Sequence, residues 1–234
     1  MNQSIHFDNI HYSYTPEREV LRGVDLRLNR GEKVALVGAN GAGKSTLLLH
    51  ANGLLMPSRG QVEVNGLTLT SKSLPTIRQQ VGLVFQSADD QLFMPTVEED
   101  VAFGPANMHL SREEIDQRVE RSLREVGALD LRQRSTHQLS EGEKRRVAIA
   151  TVLAMEPSIL VMDEPSAGLD PRARRQIIDL LNHFEHTALI ATHDLDLARQ
   201  ICPRTVVMHA GRVAADGPTA QVLDDEPLLE HCGL

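Results

Sequence analysis

The sequence contains no tryptophan, and Phe, Tyr and Trp together make up only 3% of its 234 residues. The hydrophobic fraction of 41% must therefore build a core from aliphatic side chains. No apolar run approaches the roughly 20 residues needed to cross a bilayer. The first residues also lack the basic segment and apolar stretch of a signal peptide. We therefore expect the chain to serve any membrane from outside the lipid.

Cysteine is almost absent, and the 24 Lys and Arg residues are fewer than the 32 Asp and Glu residues. Cys202 and Cys232 are too few to form a disulfide framework, and no Cys/His cluster has zinc spacing, which favours a reduced, cytosolic environment. The formal net charge of -8 argues against a nucleic-acid partner, because such proteins normally present a basic face to phosphates. Any phosphate ligand must then be held by a local device.

The hydrophobic pattern predicts an α/β fold with a mainly parallel sheet. Alternating apolar and polar residues from Ile5 to Leu28 indicate an N-terminal antiparallel β subdomain. Short apolar strands then alternate with helices, which is typical of a parallel sheet. These strands are predicted at 33–38, 81–86, 158–165, 188–194 and 205–211. We expect one domain over 1–234, with an α-helical subdomain inserted at about 87–155. The charged stretches 112–125 and 141–146 are interpreted as solvated helix surfaces.

A glycine-rich segment after the first buried strand fits the phosphate-loop pattern G-x-x-x-x-G-K-[ST]. Such a loop turns backbone N–H groups and a helix N-terminus toward phosphates. Lys44 would neutralise the β- and γ-phosphates, Ser45 would ligate Mg²⁺ and Thr46 would reach the α-phosphate. A glycine-rich turn with a chance lysine is the alternative, but lysine is scarce in this chain. The predicted nucleotide-binding residues are Gly38, Asn40, Gly41, Gly43, Lys44, Ser45 and Thr46.

Another apolar strand ends in two carboxylates, Asp163 and Glu164. This position lies at the carboxyl edge of the predicted sheet, where α/β proteins place ligands. Asp163 would hold Mg²⁺ through water, and Glu164 would orient and deprotonate the attacking water. The alternative is an ordinary strand-to-loop exit with an acidic pair before proline. The phosphate loop upstream favours the functional interpretation.

Further segments resemble motifs of ABC ATPases and occur in the same order along the chain as in that family. LSEGEKRRVAIA at 139–150 is similar to their signature, and SAGLDP at 166–171 is similar to the loop after their catalytic glutamate. Gln86 matches the glutamine loop, and His193 matches the switch histidine. The resemblance covers nearly the whole chain. It implies ATP and Mg²⁺ as cofactors, and two ATPase subunits that sandwich two nucleotides head to tail.

The same resemblance implies a role for each matched residue. Ser140 and Gly142 would contact the γ-phosphate that the other subunit binds. His193 would hold the γ-phosphate and the attacking water, while Gln86 would contact Mg²⁺ and that water and relay the nucleotide state to a membrane partner. Asp170 would communicate across the dimer. Because one chain carries the complete set of motifs, a homodimer is permitted.

Tyr14 and Glu141 leave alternatives open. Tyr14 resembles the aromatic residue that stacks on adenine, and the alternative is an ordinary edge-strand tyrosine. Glu141 and Glu143 depart from the usual LSGGQ signature. Glu141 would either repel the γ-phosphate in the dimer or turn to solvent and pair with Lys144 or Arg145.

The segment VFQSADDQLFMPTVEEDVAFGP at 84–105 resembles ATPases of energy-coupling-factor importers, especially the cobalt and nickel branch. This resemblance implies a peripheral subunit at the cytoplasmic face of the cell membrane, docked on integral coupling and substrate-binding subunits. The predicted docking residues are Val97, Glu98, Glu99, Asp100, Val101 and Phe103. A compatible alternative is a capped helix start, with Thr96 as N-cap and Glu99 three residues on.

Other functions stay open at this stage. A vitamin importer would carry the same motifs, because the ATPase does not touch the solute. A soluble ABC ATPase acting on nucleic acid or translation usually carries long coiled-coil, zinc or second-ATPase insertions, which are absent here. A P-loop kinase would not need the segments LSEGE and SAGLDP.

Overall fold

The computed structural model describes residues 3–234, which form ten strands and nine α-helices. The strands are β1 (Gln3–Thr15), β2 (Arg18–Asn29), β3 (Lys33–Val37), β4 (Arg59–Val64), β5 (Leu67–Thr68), β6 (Val81–Val84), β7 (Ile159–Asp163), β8 (Thr187–Ala191), β9 (Arg204–His209) and β10 (Arg212–Pro218). The helices are α1 (Lys44–Ala51), α2 (Leu74–Gln80), α3 (Val97–Asn107), α4 (Arg112–Glu125), α5 (Glu141–Leu153), α6 (Pro171–His183), α7 (Leu195–Ile201), α8 (Thr219–Leu223) and α9 (Glu226–Cys232).

The chain divides into two compact units. The first, the sheet unit, comprises residues 1–83, 158–164 and 185–234. The second, the helical unit, comprises residues 84–157 and 165–184. Each unit is therefore assembled from segments that are distant in the sequence.

A six-stranded sheet in the order β10-β9-β3-β8-β7-β6 carries the aliphatic core of the sheet unit. Strand β3 pairs in parallel with both β8 and β9, and β7 pairs in parallel with β8. Only apolar side chains fill β8 after Thr187, as expected for a strand covered on both faces. Because β3, β7 and β8 run in the same direction, their carboxyl ends meet at one edge, and α1 packs against β7 and β8. The predicted parallel-rich sheet is confirmed.

The N-terminal strands form a second, antiparallel sheet in the order β2-β1-β4-β5. Strands β1 and β2 pair over most of their length, with Phe7 opposite Leu26 and Ile5 opposite Leu28. These four side chains are buried. Asp25 and Arg27, which flank Leu26 on β2, face solvent. This alternation confirms the predicted antiparallel β subdomain.

The helical unit contains α3, α4 and α5, which pack against one another, together with α6. Helices α3, α4 and α5 each begin with a reciprocal capping box, in which the first side chain accepts from a backbone N–H and a glutamate accepts in return. The pairs are Thr96–Glu99, Ser111–Glu114 and Ser140–Glu143. The capped start predicted at Thr96 is confirmed.

Several elements differ from the sequence pattern. Helices α2 and α7 and strand β10 were not indicated by it, and the C-terminal segment forms the short helices α8 and α9. Arg145 was assigned to a solvated surface, but its side chain is buried. Among residues 3–234, no helix combines the length and the apolar character that crossing a bilayer requires.

Candidate functional site

The glycine-rich loop joins β3 to α1 at the carboxyl edge of the six-stranded sheet. A Cβ atom on Gly38 would lie 2.3 Å from the carbonyl oxygen of Met208 on β9, so this position has no room for a side chain. Gly43 is the N-cap of α1 and has a φ of 105°, in the left-handed region that favours glycine. Both glycines are therefore required by the path of the backbone.

Lys44 begins α1, and its ammonium group lies across this loop. Its Nζ donates to the carbonyl oxygen of Gly38 at 2.6 Å and to that of Ala39 at 3.4 Å. A cation, a helix N-terminus and a glycine-rich backbone thus occupy one place, and this combination fits the phosphates of a nucleotide.

Two oxygen donors suited to a hard cation lie on adjoining elements. Ser45 is exposed in the first turn of α1, and Asp163 ends β7, against which α1 packs. A hydroxyl and a carboxylate are ligands that Mg²⁺ accepts beside substrate phosphates. The donor set of the chain therefore fits the predicted metal ion.

The pairing of β7 with β8 brings Glu164 and His193 together. The distance between Glu164 Oε2 and His193 Nδ1 is 2.9 Å, and the backbone N–H of His193 donates to the same oxygen at 3.2 Å. The Glu164 side chain is 8% exposed and that of His193 is 65% exposed. A buried carboxylate is thus held from one side while an imidazole reaches solvent at the sheet edge.

The backbone at Glu164 turns sharply as β7 ends. Its φ is 48°, an uncommon value for a residue with a side chain, and its N–H donates to Ala191 O on β8 at 2.8 Å. Such a conformation costs of order 1–3 kcal/mol and persists only where neighbouring structure imposes it. The neighbouring strand therefore fixes the direction of the Glu164 carboxylate.

Tyr14 lies beside the first turn of α1. Its hydroxyl is 3.2 Å from Thr46 Oγ1, its ring meets that of Tyr12 edge to face, and more than half of it is exposed. It lies beyond His11, where the pairing of β1 with β4 stops, so β1 is locally an edge strand here. Tyr12 also packs edge to face on His50 of α1, whose pKa is lowered by burial. No local sequence pattern indicated that Tyr12 and His50 support Tyr14.

In the helical unit, Ser140 caps α5 and is held by Glu143. The backbone N–H and the hydroxyl of Ser140 each approach Glu143 Oε2 at 2.8 Å. These bonds lower the pKa of the Glu143 carboxyl. The departure from the usual signature at Glu143 thus supplies a capping carboxylate, for which the S-x-x-E spacing is a recognisable sequence signal.

The other signature positions lie in the same first turn of α5. Glu141 is 72% exposed, with its Oε1 3.3 Å from Lys144 Nζ, so the arrangement agrees with pairing to Lys144. A Cβ atom on Gly142 would lie 3.2 Å from the Cβ of Ala173 on α6, which leaves little room for a larger residue. Asp170 caps α6 by accepting from the N–H groups of Arg172 and Ala173, and these bonds lower its pKa.

The predicted docking segment needs correction. Val97 and Val101 are fully buried and belong to the core of the helical unit. Asp100 is also buried: its Oδ1 accepts from the backbone N–H groups of Phe93 and Met94, and burial raises its pKa.

The remaining predicted docking residues, Glu98, Glu99 and Phe103, make different contacts. Glu98 pairs with Arg132, and Glu99 completes the capping box. Phe103 is exposed and meets Phe93 edge to face with a centroid distance of 5.0 Å. These two rings form an exposed aromatic pair, of which the sequence had indicated only Phe103.

Comparisons with known proteins show what this chain is similar to. The sequence model of the family described as ABC transporter matches residues 21–167. A putative ABC transporter ATP-binding protein of Geobacter sulfurreducens is 54% identical over 95% of this chain and 90% of its own length. The energy-coupling factor transporter ATP-binding protein EcfA of Carboxydothermus hydrogenoformans is 46% identical over 100% of this chain and 87% of its own length.

Solved structures show the same fold. The structure of CbiO1 from Clostridium perfringens, described as part of the ABC transporter complex CbiONQ, superposes with a TM-score of 0.87 at 38% identity, over 99% of this chain and 94% of that one. A bacterial ABC transporter cassette solved as a dimer, MJ0796, superposes with a TM-score of 0.83 at 29% identity, over 92% of this chain and 98% of that one.

Proposed function

Because this chain belongs to the ABC transporter family of ATPases, we propose that it energises a membrane importer of the energy-coupling-factor type, with cobalt or nickel ions as the solute. The relatives named for energy coupling and the CbiO1 neighbour support this transporter class. The observation that carries the catalytic part is the meeting of the Lys44 loop and the Glu164–His193 pair at one edge of the sheet.

The phosphate loop binds and neutralises the nucleotide. Its backbone N–H groups and the N-terminus of α1 face the phosphates, and Lys44 neutralises the β- and γ-phosphates. Gly38, Asn40, Gly41 and Gly43 shape the loop, Thr46 lies beside the α-phosphate and Tyr14 offers an exposed ring to the adenine. Ser45, Gln86 and, through water, Asp163 would hold Mg²⁺, which would supply positive charge to the transferred phosphoryl group.

Glu164 positions and deprotonates the attacking water. The backbone N–H of His193 donates to its carboxylate, and the hydrogen bond from its own N–H to Ala191 on β8 fixes its backbone. Little reorganisation is therefore needed when the water is activated. His193 holds the γ-phosphate, because its ring extends from the buried Glu164 carboxylate to the solvent-exposed edge of the sheet.

The working unit is a dimer of this chain at the cytoplasmic face of the cell membrane. Ser140 and Gly142 contact the γ-phosphate bound by the other subunit, and Asp170 signals across the dimer. Integral coupling and substrate-binding subunits dock at the exposed aromatic pair, Phe93 and Phe103. No nucleic acid is involved.

Two substitutions test the division of labour in hydrolysis. Lys44→Ala removes the cation that neutralises the phosphates, so ATP binding is lost. Glu164→Gln leaves the binding groups intact and removes the base, so ATP is bound, hydrolysis stops and the ATP-bound dimer accumulates. Nucleotide titration and light scattering measure both. An equal loss of ATP affinity in the two variants would contradict these roles.

The solute is tested by uptake. Cells that express the chain with its membrane subunits should accumulate radiolabelled Co²⁺ or Ni²⁺, and cells that carry the Glu164→Gln variant should not. Uptake of a vitamin in place of either ion would keep the transporter class and reject the ion. Normal assembly without any ATP-dependent uptake would reject the importer itself.

A further inference from the structure

Arg145 lies in the second turn of α5, and its guanidinium reaches backbone carbonyls about 60 residues away in the sequence. Nη1 donates to the carbonyl oxygen of Phe85 at 2.8 Å, and Nη2 donates to that of Gln86. Arg145 is buried, with 6% of the residue exposed. The guanidinium group is planar and buried, and it donates to two successive carbonyl oxygens. It therefore fixes the direction of the backbone at Gln86.

Gln91 also connects the backbone around Gln86 to α5. Its Oε1 accepts from the backbone N–H of Phe85 at 3.1 Å. Its Nε2 donates to the carbonyl oxygen of Ala148 at 2.6 Å and to Thr151 Oγ1 at 2.8 Å, both on α5. One side chain thus bridges the backbone before Gln86 to the middle of the helix.

A third contact joins the loop between these two points to the start of α5. Lys144 Nζ lies 2.7 Å from Asp89 Oδ1, and this contact raises the pKa of Lys144. The residues from 85 to 91, which we call the glutamine segment, are therefore bonded to α5 by side chains at both ends and in the middle. Gln86 itself stays exposed.

From these contacts we propose that Arg145 and Gln91 are positioning residues that hold the glutamine segment on α5, so that Gln86 and the Ser140 end of this helix move as one piece. The inference rests on the function proposed above for Gln86 at the Mg²⁺ and the attacking water. Its consequence is that the metal contact of one nucleotide site cannot form or break without moving the signature segment that serves the other site.

Arg145→Lys is the principal test, because lysine keeps the charge and loses the fork that spans two carbonyls. ATP hydrolysis is measured on the full chain as a function of ATP and of MgCl2. We expect kcat to fall about tenfold, because a displaced contact group loses catalysis steeply with distance. The half-saturating Mg²⁺ concentration should rise, while the affinity for a fluorescent ATP analogue stays within about twofold of the parent because the phosphate loop is unchanged.

The deciding measurement is a double-mutant cycle with Gln86→Ala. If Arg145 acts through Gln86, adding Arg145→Lys to Gln86→Ala should lower kcat by less than about twofold further. Gln91→Met, which keeps the volume and removes all three hydrogen bonds of the Gln91 side chain, is put through the same cycle. A poorly folding Arg145 variant then does not decide the outcome.

Arg146→Lys is the matched control. It is the same substitution at the next residue of α5, where the guanidinium donates to the carbonyl oxygen of Gly127, away from the glutamine segment. It should leave kcat and the Mg²⁺ dependence unchanged. A full tenfold loss from Arg145→Lys and Gln91→Met in the Gln86→Ala background would overturn the positioning role and leave the proposed function standing. Unchanged hydrolysis in Gln86→Ala alone would refute the proposed role of Gln86, and this inference with it.

Discussion

Replacing Val101, Phe93 or Phe103 with serine separates the packing of the docking segment from its proposed contact with membrane subunits. Val101 lies on the inner face of α3 and is 0% exposed, whereas Phe93 is 63% and Phe103 is 43% exposed. All three replacements are neutral in charge. Differences among the variants therefore report where each side chain lies.

The structure gives the size of each effect. Val101→Ser deletes two buried methyl groups at about 0.8 kcal/mol each, leaves a small cavity and buries a hydroxyl, which together cost about 3–4 kcal/mol. Phe93→Ser loses the buried third of one ring and an edge-to-face contact, about 1–2 kcal/mol. For a chain of this size each kcal/mol lowers Tm by about 2–4 °C. Val101→Ser should therefore melt about 6–16 °C below the parent, and Phe93→Ser about 2–8 °C below it.

Assembly should follow the opposite order. Phe93→Ser and Phe103→Ser should bind ATP normally and co-purify poorly with the membrane subunits, because exposed aromatic anchors carry much of the energy of an interface. Val101→Ser should assemble in proportion to the fraction that is folded. Calorimetry, nucleotide titration and co-purification from membranes supply the three measurements.

Either of two results would refute this reasoning. Parental thermal stability in Val101→Ser would mean that the residue is not part of the core. Full assembly of the Phe93→Ser, Phe103→Ser double variant would mean that the membrane subunits dock elsewhere.

The site makes three further predictions. Gly38→Ala should abolish ATP binding, since its Cβ would lie 2.3 Å from Met208 O, whereas Gly41→Ala, which meets no atom within 4 Å, should retain measurable binding; nucleotide titration would contradict this if the two behaved alike. Glu141→Gly in the Glu164→Gln background should change ATP-driven dimerisation by less than about fivefold, because an exposed pair with Lys144 contributes at most about 1 kcal/mol. A strong gain with a flatter salt dependence in light scattering would show repulsion instead. Hydrogen bonds from Ser140 lower the pKa of Glu143 below 4.5, so Glu143 stabilises the fold above that pH and loses this effect as the pH falls through its lowered pKa; the Tm advantage of the parent over Glu143→Gln should shrink over that range, and a constant difference would exclude this charge effect.

Local patterns predicted the phosphate loop and the acidic strand end because both follow directly from short sequence strings. The loop from Gly38 to Lys44 joins a buried strand to a helix, and Asp163 and Glu164 end an apolar run. Their meeting at one edge followed from the rule that parallel strands share a direction. Each of these signals is confined to a few consecutive residues.

The buried face of α3 could have been recognised from its spacing. Val97, Val101 and Pro105 recur at every fourth residue, which places them on one side of a helix, and all three are buried. The resemblance to a docking segment covers the whole stretch and does not distinguish its buried face from its exposed face. No periodicity marks Phe93, because it precedes the helix and meets Phe103 only through the turn that Asp100 holds.

The role of Arg145 was beyond any local pattern. It stands in a run of charged residues, a composition typical of a solvated surface, and its acceptors are backbone carbonyls at residues 85 and 86. Carbonyl acceptors have no residue type, so the sequence contains no partner to recognise. Such contacts become visible only when the chain path is known.

The capping boxes of α3, α4 and α5 have a consequence for the order in which the chain folds. Each box closes a loop of only three residues, so little chain entropy opposes its formation. By contrast, the six-stranded sheet requires β3 to find β8 and β9, and the Ser4–Thr187 hydrogen bond joins residues 183 positions apart. Contacts of low sequence separation form fastest. The helical unit can therefore nucleate while the strands of the nucleotide-binding sheet are still searching for one another, so the sheet sets the rate at which the chain acquires the ability to bind ATP.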